Sequence, residues 1–275
     1  MEKTRVLFVS QEIFPFVPES ETANTTRKLI QSTHEKGKEI RVFQPKYGKI
    51  NERRHQLHEV IRLSGMNMVV NGSDYPLIIK VASVPGARMQ VYFIDNDVFF
   101  KRKAYLTDEH QAFFNDSDER AIFFAKGVLE TVKKLGWAPD IIHCHGWMSA
   151  ILPAYLKTIY RQDPHFADTR IVYTPYEGDG TKLPANKTGD KLKSDGVDSL
   201  HIKVLDKFSH EKLNSFALQF SDGLIFTNAN GHADLAAEAA KMDIPVVRAS
   251  ELEQFVVEAD ALYDAIMSGR PVLAD

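Results

Sequence analysis

His143, Cys144 and His145 form a triplet that is followed after one glycine by Trp147, and no other stretch concentrates as many chemically useful side chains. They sit in PDIIHCHGWMSAILPAYLK, residues 139–157, where a short apolar run leads into the triplet and a helical pattern follows. Polar groups at the carboxyl end of a parallel strand stand where open α/β sheets bind ligands. There His145 can hydrogen-bond a hydroxyl or a phosphate, and Trp147 can stack on a sugar ring. The same residues also suit plain packing, with the imidazole as a satisfied strand-end group and the indole as helix filler. On the residues alone both readings stay open. Glu12 and Tyr176 follow two further apolar runs, so the strand-end rule brings them to the same edge. The candidate substrate-binding set is therefore Glu12, His145, Trp147 and Tyr176.

Other constellations carry less. His55 and His58 make an H-x-x-H pair, but no further His, Cys or carboxylate joins them at ligand spacing, so no metal is expected. Cys144 is the single cysteine; it excludes an internal disulfide, fits a reducing compartment and reads as a buried thiol. Walker A, G-x-G-x-x-G and G-x-S-x-G patterns are missing, and no cofactor is expected. A net charge of -3 over 275 residues leaves no basic footprint, which argues against nucleic acid and anionic membrane as partners. The N-terminus runs from MEKT straight into a short apolar stretch without a signal-peptide or membrane-spanning pattern, so a cytoplasmic protein is expected.

The elements that must position these groups alternate between short apolar runs and helical patterns, the signature of a doubly wound, mostly parallel α/β sheet. Strands are expected at 6–10, 40–44, 90–94, 140–144, 170–174, 223–227 and 245–247. The clearest helix is 118–135, with Ile122, Ala125, Val128, Leu129, Val132 and Leu135 on one stripe, Ser117 as its cap and Gly136 as its stop. Residues 57–83 break the alternation with β-rich runs around an Asn71-Gly72 turn, so an antiparallel excursion or extra edge strands on the same domain are expected there. Residues 176–199 lose all apolar period and read as a long loop or lid. A last helix over 251–267 carries Leu252, Phe255, Val256, Ala259, Leu262, Tyr263 and Ile266 on one face and should dock on the domain.

The opening run RVLFVSQEIFPFV, residues 5–17, is similar to the first strand and loop of the glycogen/starch synthases. Two later runs extend the resemblance. YFIDNDVFFKR at 92–102, with DSDERAIFFAKGVLE at 116–130, matches segments that pack this family's first domain, where Asp95 and Arg120 read as structural. DIIHCHGW resembles the family's Asp, two branched residues, His, any residue, His or Asn, Asp, Trp; His143, His145 and Trp147 match. The matches keep the family's order over roughly residues 5 to 235. The resemblance implies a Rossmann-like domain, the N-terminal half of a GT-B architecture whose reaction lies between two domains. It implies transfer of glucose from ADP-glucose or UDP-glucose to the non-reducing end of an α-1,4-glucan, with retention and without metal.

The departures lie in the donor loop. Where the family has Lys-Thr-Gly-Gly and then Asp, this chain has Pro18, Glu19, Ser20, Glu21 and Asn24. A diphosphate cradle needs close backbone N–H groups and positive charge; proline removes a donor and the two glutamates repel phosphate. Gly146 and Met148 replace polar residues beside Trp147, and Pro175, Tyr176 and Glu177 replace a family Ile-His-Asn. Ser215 and Ala217 stand where the family has a Lys and a Gly. Residues 1–275 are therefore expected to form one acceptor-side domain, with the donor-binding domain absent. Three functions compete: a glucosyltransferase completed by a partner chain, a non-catalytic domain binding α-glucan or a small sugar, and an interaction scaffold without a sugar site. In all three, binding of ADP-glucose by this chain alone is expected to be poor.

Overall fold

The computed structural model describes residues 3–85, 89–176, 183, 187–206, 209–228 and 231–269. The elements run β1 (Arg5–Ser10), α1 (Glu21–Glu35), β2 (Glu39–Pro45), β3 (His58–Glu59), β4 (Met66–Val70), β5 (Ser73–Ser83) and β6 (Gln90–Asp95). They continue with α2 (Asp97–Phe100), α3 (Ser117–Leu135), β7 (Ile141–His145), α4 (Leu152–Thr158), β8 (Arg170–Thr174), α5 (Thr188–Ser194) and α6 (Ser199–Ile202). The order closes with α7 (His210–Leu218), β9 (Gly223–Phe226), α8 (Ala233–Lys241), β10 (Val246–Arg248) and α9 (Leu252–Ser268).

One sheet has the order β10-β9-β8-β7-β1-β2-β6-β5-β3, with β4 paired to β5 off this path. From β10 to β6 every pairing is parallel, whereas β5 runs antiparallel to β6, β3 and β4. The expected antiparallel excursion is thus an extension of one edge. Asn71 and Gly72 both take positive φ, 49° and 76°, the conformation a two-residue hairpin turn requires. The chain winds outward from β1 through β2 to β6, then returns to β7 on the other side of β1. Right-handed crossovers put α1 on one face and α3, α4 and α7 on the other. Helix contacts follow that division: α1 packs on α9, while α3 meets α4 and α4 meets α7. β1 and β7, the two strands at the reversal, are almost wholly buried; β1 accordingly reads as an apolar run over Val6–Val9, whereas β7 carries His143 and His145 into the interior.

Two expectations are corrected. Ser117 is the first residue inside α3; Asp116 holds the cap position, without a side-chain cap bond, and Gly136 closes the helix in the left-handed conformation at φ 61°. The stretch 176–199 is not devoid of structure among its described residues. It contains α5, tied down by Leu192 in the core and by Lys191 Nζ 2.7 Å from the fully buried carboxylate of Asp118. Polar anchoring of this kind leaves no apolar period to read. α9 docks as expected, burying Phe255, Val256, Ala259, Leu262 and Tyr263. Among the described residues no helix is long and apolar enough to cross a membrane.

Candidate functional site

The reversal between β1 and β7 opens a crevice at their carboxyl ends, the place where doubly wound sheets take ligands. A cleft of about 330 Å³ lies there, lined among others by Gln11, Glu12, Ser20, Glu21, Phe113, Trp147 and Tyr176. Larger cavities sit at the opposite, amino edge of the sheet, away from these groups.

Alternation along β7 sets the geometry. His143 and His145 are two residues apart and point to one face, with ring centres 3.9 Å apart, while Cys144 points to the other. His143 Nδ1 meets the Tyr263 hydroxyl at 2.6 Å, and its Nε2 meets Thr174 Oγ1 at 2.8 Å. His145 Nδ1 meets the Tyr176 hydroxyl at 3.1 Å, and its Nε2 has no partner. Burial lowers the pKa of His145 to about 3 and drives that of His143 well below the usual imidazole value, the neighbouring His145 adding to the fall. Both rings are neutral at pH 7 and offer no charge to a phosphate. The Cys144 thiol is buried and its pKa is raised by desolvation, so it is no nucleophile.

Of the four candidates, Glu12, Trp147 and Tyr176 line the cleft together. His145 stands behind Tyr176, wholly buried, and reaches the cleft through that hydroxyl. Trp147 is only 7 % exposed, edge-on to Phe113 at 5.3 Å, so it forms a wall while also packing the core. Burial raises the pKa of Glu12, partly offset by hydrogen bonds from the Gln11 and Ser20 side chains.

The loop residues Pro18, Glu19, Glu21 and Asn24 are all exposed. Ser20 caps α1, its Oγ accepting the Ala23 N–H at 3.0 Å. Glu21 begins that helix and complements the positive end of its dipole. Neither Lys nor Arg is among the described residues lining the cleft. Glu177 lies outside the described residues. His55 packs against Phe16 at 5.1 Å and His58 is exposed in β3; among the described residues no group of three or more His, Cys, Asp or Glu could hold a metal.

Several contributors were not legible beforehand. Gln11 accepts the Met148 N–H at 3.3 Å, and its side chain fills the space into which a Cβ on Gly146 would project. Gly146 itself has φ 80°, so a glycine is required here on two counts. Arg120, almost fully buried, donates to the carbonyls of Tyr105 (2.8 Å) and Leu106 (3.3 Å) and so holds Leu106 at the cleft. Asp95 pairs with Lys80 at 2.9 Å, a structural role. Phe113 and the α7 residues His210 and Asn214 line the cleft without any strand-end signal in the sequence.

An open doubly wound sheet with an aromatic, hydroxyl-rich cleft at its reversal is the frame of a GT-B glycosyltransferase domain. Residues 5–239 match the starch synthase catalytic domain, and the chain belongs to that family. It is 36% identical over 241 residues to the glycogen synthase of Chlorobium limicola, covering 86% of this chain and 46% of that protein. To the glycogen synthase of Chlorobium luteolum it is 34% identical over 270 residues, 96% of this chain and 52% of that protein. The chain therefore spans about half the length of these curated relatives. Its fold matches the catalytic domain of starch synthase IV from Arabidopsis thaliana, a structure bound to ADP and acarbose. The TM-score is 0.72 at 20% identity, over 90% of this chain and 51% of that one.

Proposed function

We propose that this glycogen/starch synthase-type domain holds a glucose unit of an α-1,4-glucan in the β1/β7 cleft and does not by itself bind or use ADP-glucose. The observation that carries the reading is the capped start of α1. Anion binding at a helix N-terminus uses free backbone donors and the positive end of the dipole. Here Ser20 Oγ takes the Ala23 N–H, and the carboxylate of Glu21 answers the dipole. A neutral sugar meets no such conflict: Trp147 and Phe113 offer apolar faces, and Glu12 and Tyr176 offer hydrogen bonds.

A non-catalytic glucan-binding or regulatory domain is the second reading, favoured by the same capped loop. In the first reading a partner chain supplies donor-side groups; in the second none is needed. A cytoplasmic location belongs to either, supported by the single free cysteine.

Calorimetric titration of the purified chain with maltoheptaose and with ADP-glucose tests the proposal. Maltoheptaose should bind, Trp147→Ala should abolish that binding, and ADP-glucose should give no measurable heat. Low-micromolar ADP-glucose binding, about -8 kcal/mol, would overturn the donor half of the reading. Silence toward both ligands would leave an interaction scaffold as the function. Glucosyl transfer on adding a separate donor-domain chain would decide for the first reading over the second.

A further inference from the structure

A second, larger cavity of about 540 Å³ opens at the amino edge of the sheet, where β2 and β6 begin. Its charged lining is Lys3, Lys38 and Arg41, with Glu39 as the carboxylate among the described lining residues. Glu39 is already engaged: Oε1 accepts the Trp137 indole N–H at 2.6 Å, and Oε2 lies 3.7 Å from Arg5 Nε. Lys38 is paired with Asp260 and Asp264 of α9. Arg41 has no such answer. Its guanidinium lies 5.2 Å from the centre of the Trp137 ring and 5.9 Å from that of Tyr92. Nη1 donates to the Tyr92 hydroxyl at 2.9 Å, Nε has no partner, and no ion pair reaches it among the described residues.

An arginine fixed against aromatic rings loses little freedom on forming further bonds, and its planar fork matches a phosphate in a bidentate way. With Glu39 and Lys38 neutralised by their own partners, Arg41 and the exposed Lys3 leave the cavity with unanswered positive charge. The hydroxyls of Ser83 and Tyr92 and the amide of Gln90 add neutral hydrogen-bonding groups around it. The volume falls in the range of small-molecule sites and exceeds what a bare phosphate fills. We propose that this amino-edge cavity binds a phosphate monoester, with Arg41 holding the phosphoryl group. The site lies across the sheet from the glucan cleft and stands whether or not that cleft binds sugar.

The test uses the whole chain carrying Trp147→Phe, so that Trp137, the other of its two tryptophans, reports on Arg41 by fluorescence. Glycerol 2-phosphate and inorganic phosphate are titrated against sodium chloride at matched ionic strength. The monoester should bind at least severalfold more tightly than inorganic phosphate. Arg41→Gln should weaken both at least tenfold at an unchanged melting temperature, with Arg41→Lys in between. Lys3→Gln, at an exposed position that the fold does not need, should weaken both severalfold, and it keeps the test alive if Arg41→Gln fails to fold. The proposal is overturned if sodium chloride gives the same response or if a folded Arg41→Gln binds like the parent. It also fails if Lys3→Gln leaves both affinities untouched. Inorganic phosphate binding more tightly than the ester would replace the monoester with a free-phosphate site.

Discussion

His143 Nδ1 lies 2.6 Å from the hydroxyl of Tyr263, a hydrogen bond that joins a strand at the centre of the sheet to the last helix. Tyr263 falls outside the span 5–239 that matches the starch synthase catalytic domain, whereas His143 falls inside it. α9 is therefore bound into the core by a polar contact as well as by its apolar face. His143 in turn packs against His145, their rings tilted by 33°, so the helix supports the wall behind Tyr176.

Tyr263→Phe should lower stability by about 1–3 kcal/mol, because it strands a buried ring nitrogen without a partner. Leu262→Ala on the same helix should cost about 2–5 kcal/mol as a core truncation. Urea denaturation of both variants reads these losses. If neither moves the midpoint, α9 is an appendage rather than part of the core.

Acid should weaken the fold through His145. Its pKa is about 3 in the folded chain, against about 6.5 when unfolded, so between those values the unfolded chain takes up a proton that the fold refuses. The stability it contributes is present above about pH 6.5 and is lost as pH falls toward 3; between pH 7 and 5 this amounts to about 2 kcal/mol. His145→Gln removes the titration, so its stability should decline less steeply over that interval than the parent's. Parallel pH profiles for the two proteins would refute the assignment.

Gly146→Ala should destabilise the chain by more than the roughly 1–3 kcal/mol that a side chain costs at φ 80° and ψ 171°, a region almost confined to glycine, because the new methyl runs into the Gln11 side chain. Gln11→Ala should relieve the collision and leave the backbone strain. A double-mutant cycle should then return a favourable coupling of at least about 0.5 kcal/mol. Simple additivity would mean that Gln11 moves aside freely and does not fill the space next to Trp147.

Sequence periodicity was enough to locate the parallel strands among the described residues, because each holds a short apolar stretch whose ends are marked by polar residues or turns. The Asn71-Gly72 turn was legible because few residue pairs accept positive φ twice. α5 was not, since its hold on the fold is a buried carboxylate meeting Lys191 rather than an apolar stripe. Three of the four candidate ligand residues reached the cleft because strand ends converge by topology alone; the fourth, His145, lies one layer deeper because Tyr176 folds over it.

The sequence by itself determined the doubly wound sheet, the edge on which Glu12, Trp147 and Tyr176 gather, and the absence of Lys, Arg and Gly from residues 18 to 24. Each of those follows from local pattern: burial period, the convergence of parallel strand ends, and the identity of residues 18 to 24. Only the tertiary structure decided that Ser20 caps α1, that Gln11 occupies the space beside Gly146, and that Tyr263 meets His143 across 120 residues of chain. Those contacts join residues distant along the chain or depend on side-chain direction, and neither quantity is encoded in a hydrophobic period. They exist because close packing leaves room for one arrangement and because a buried polar atom must find its partner wherever the fold brings one.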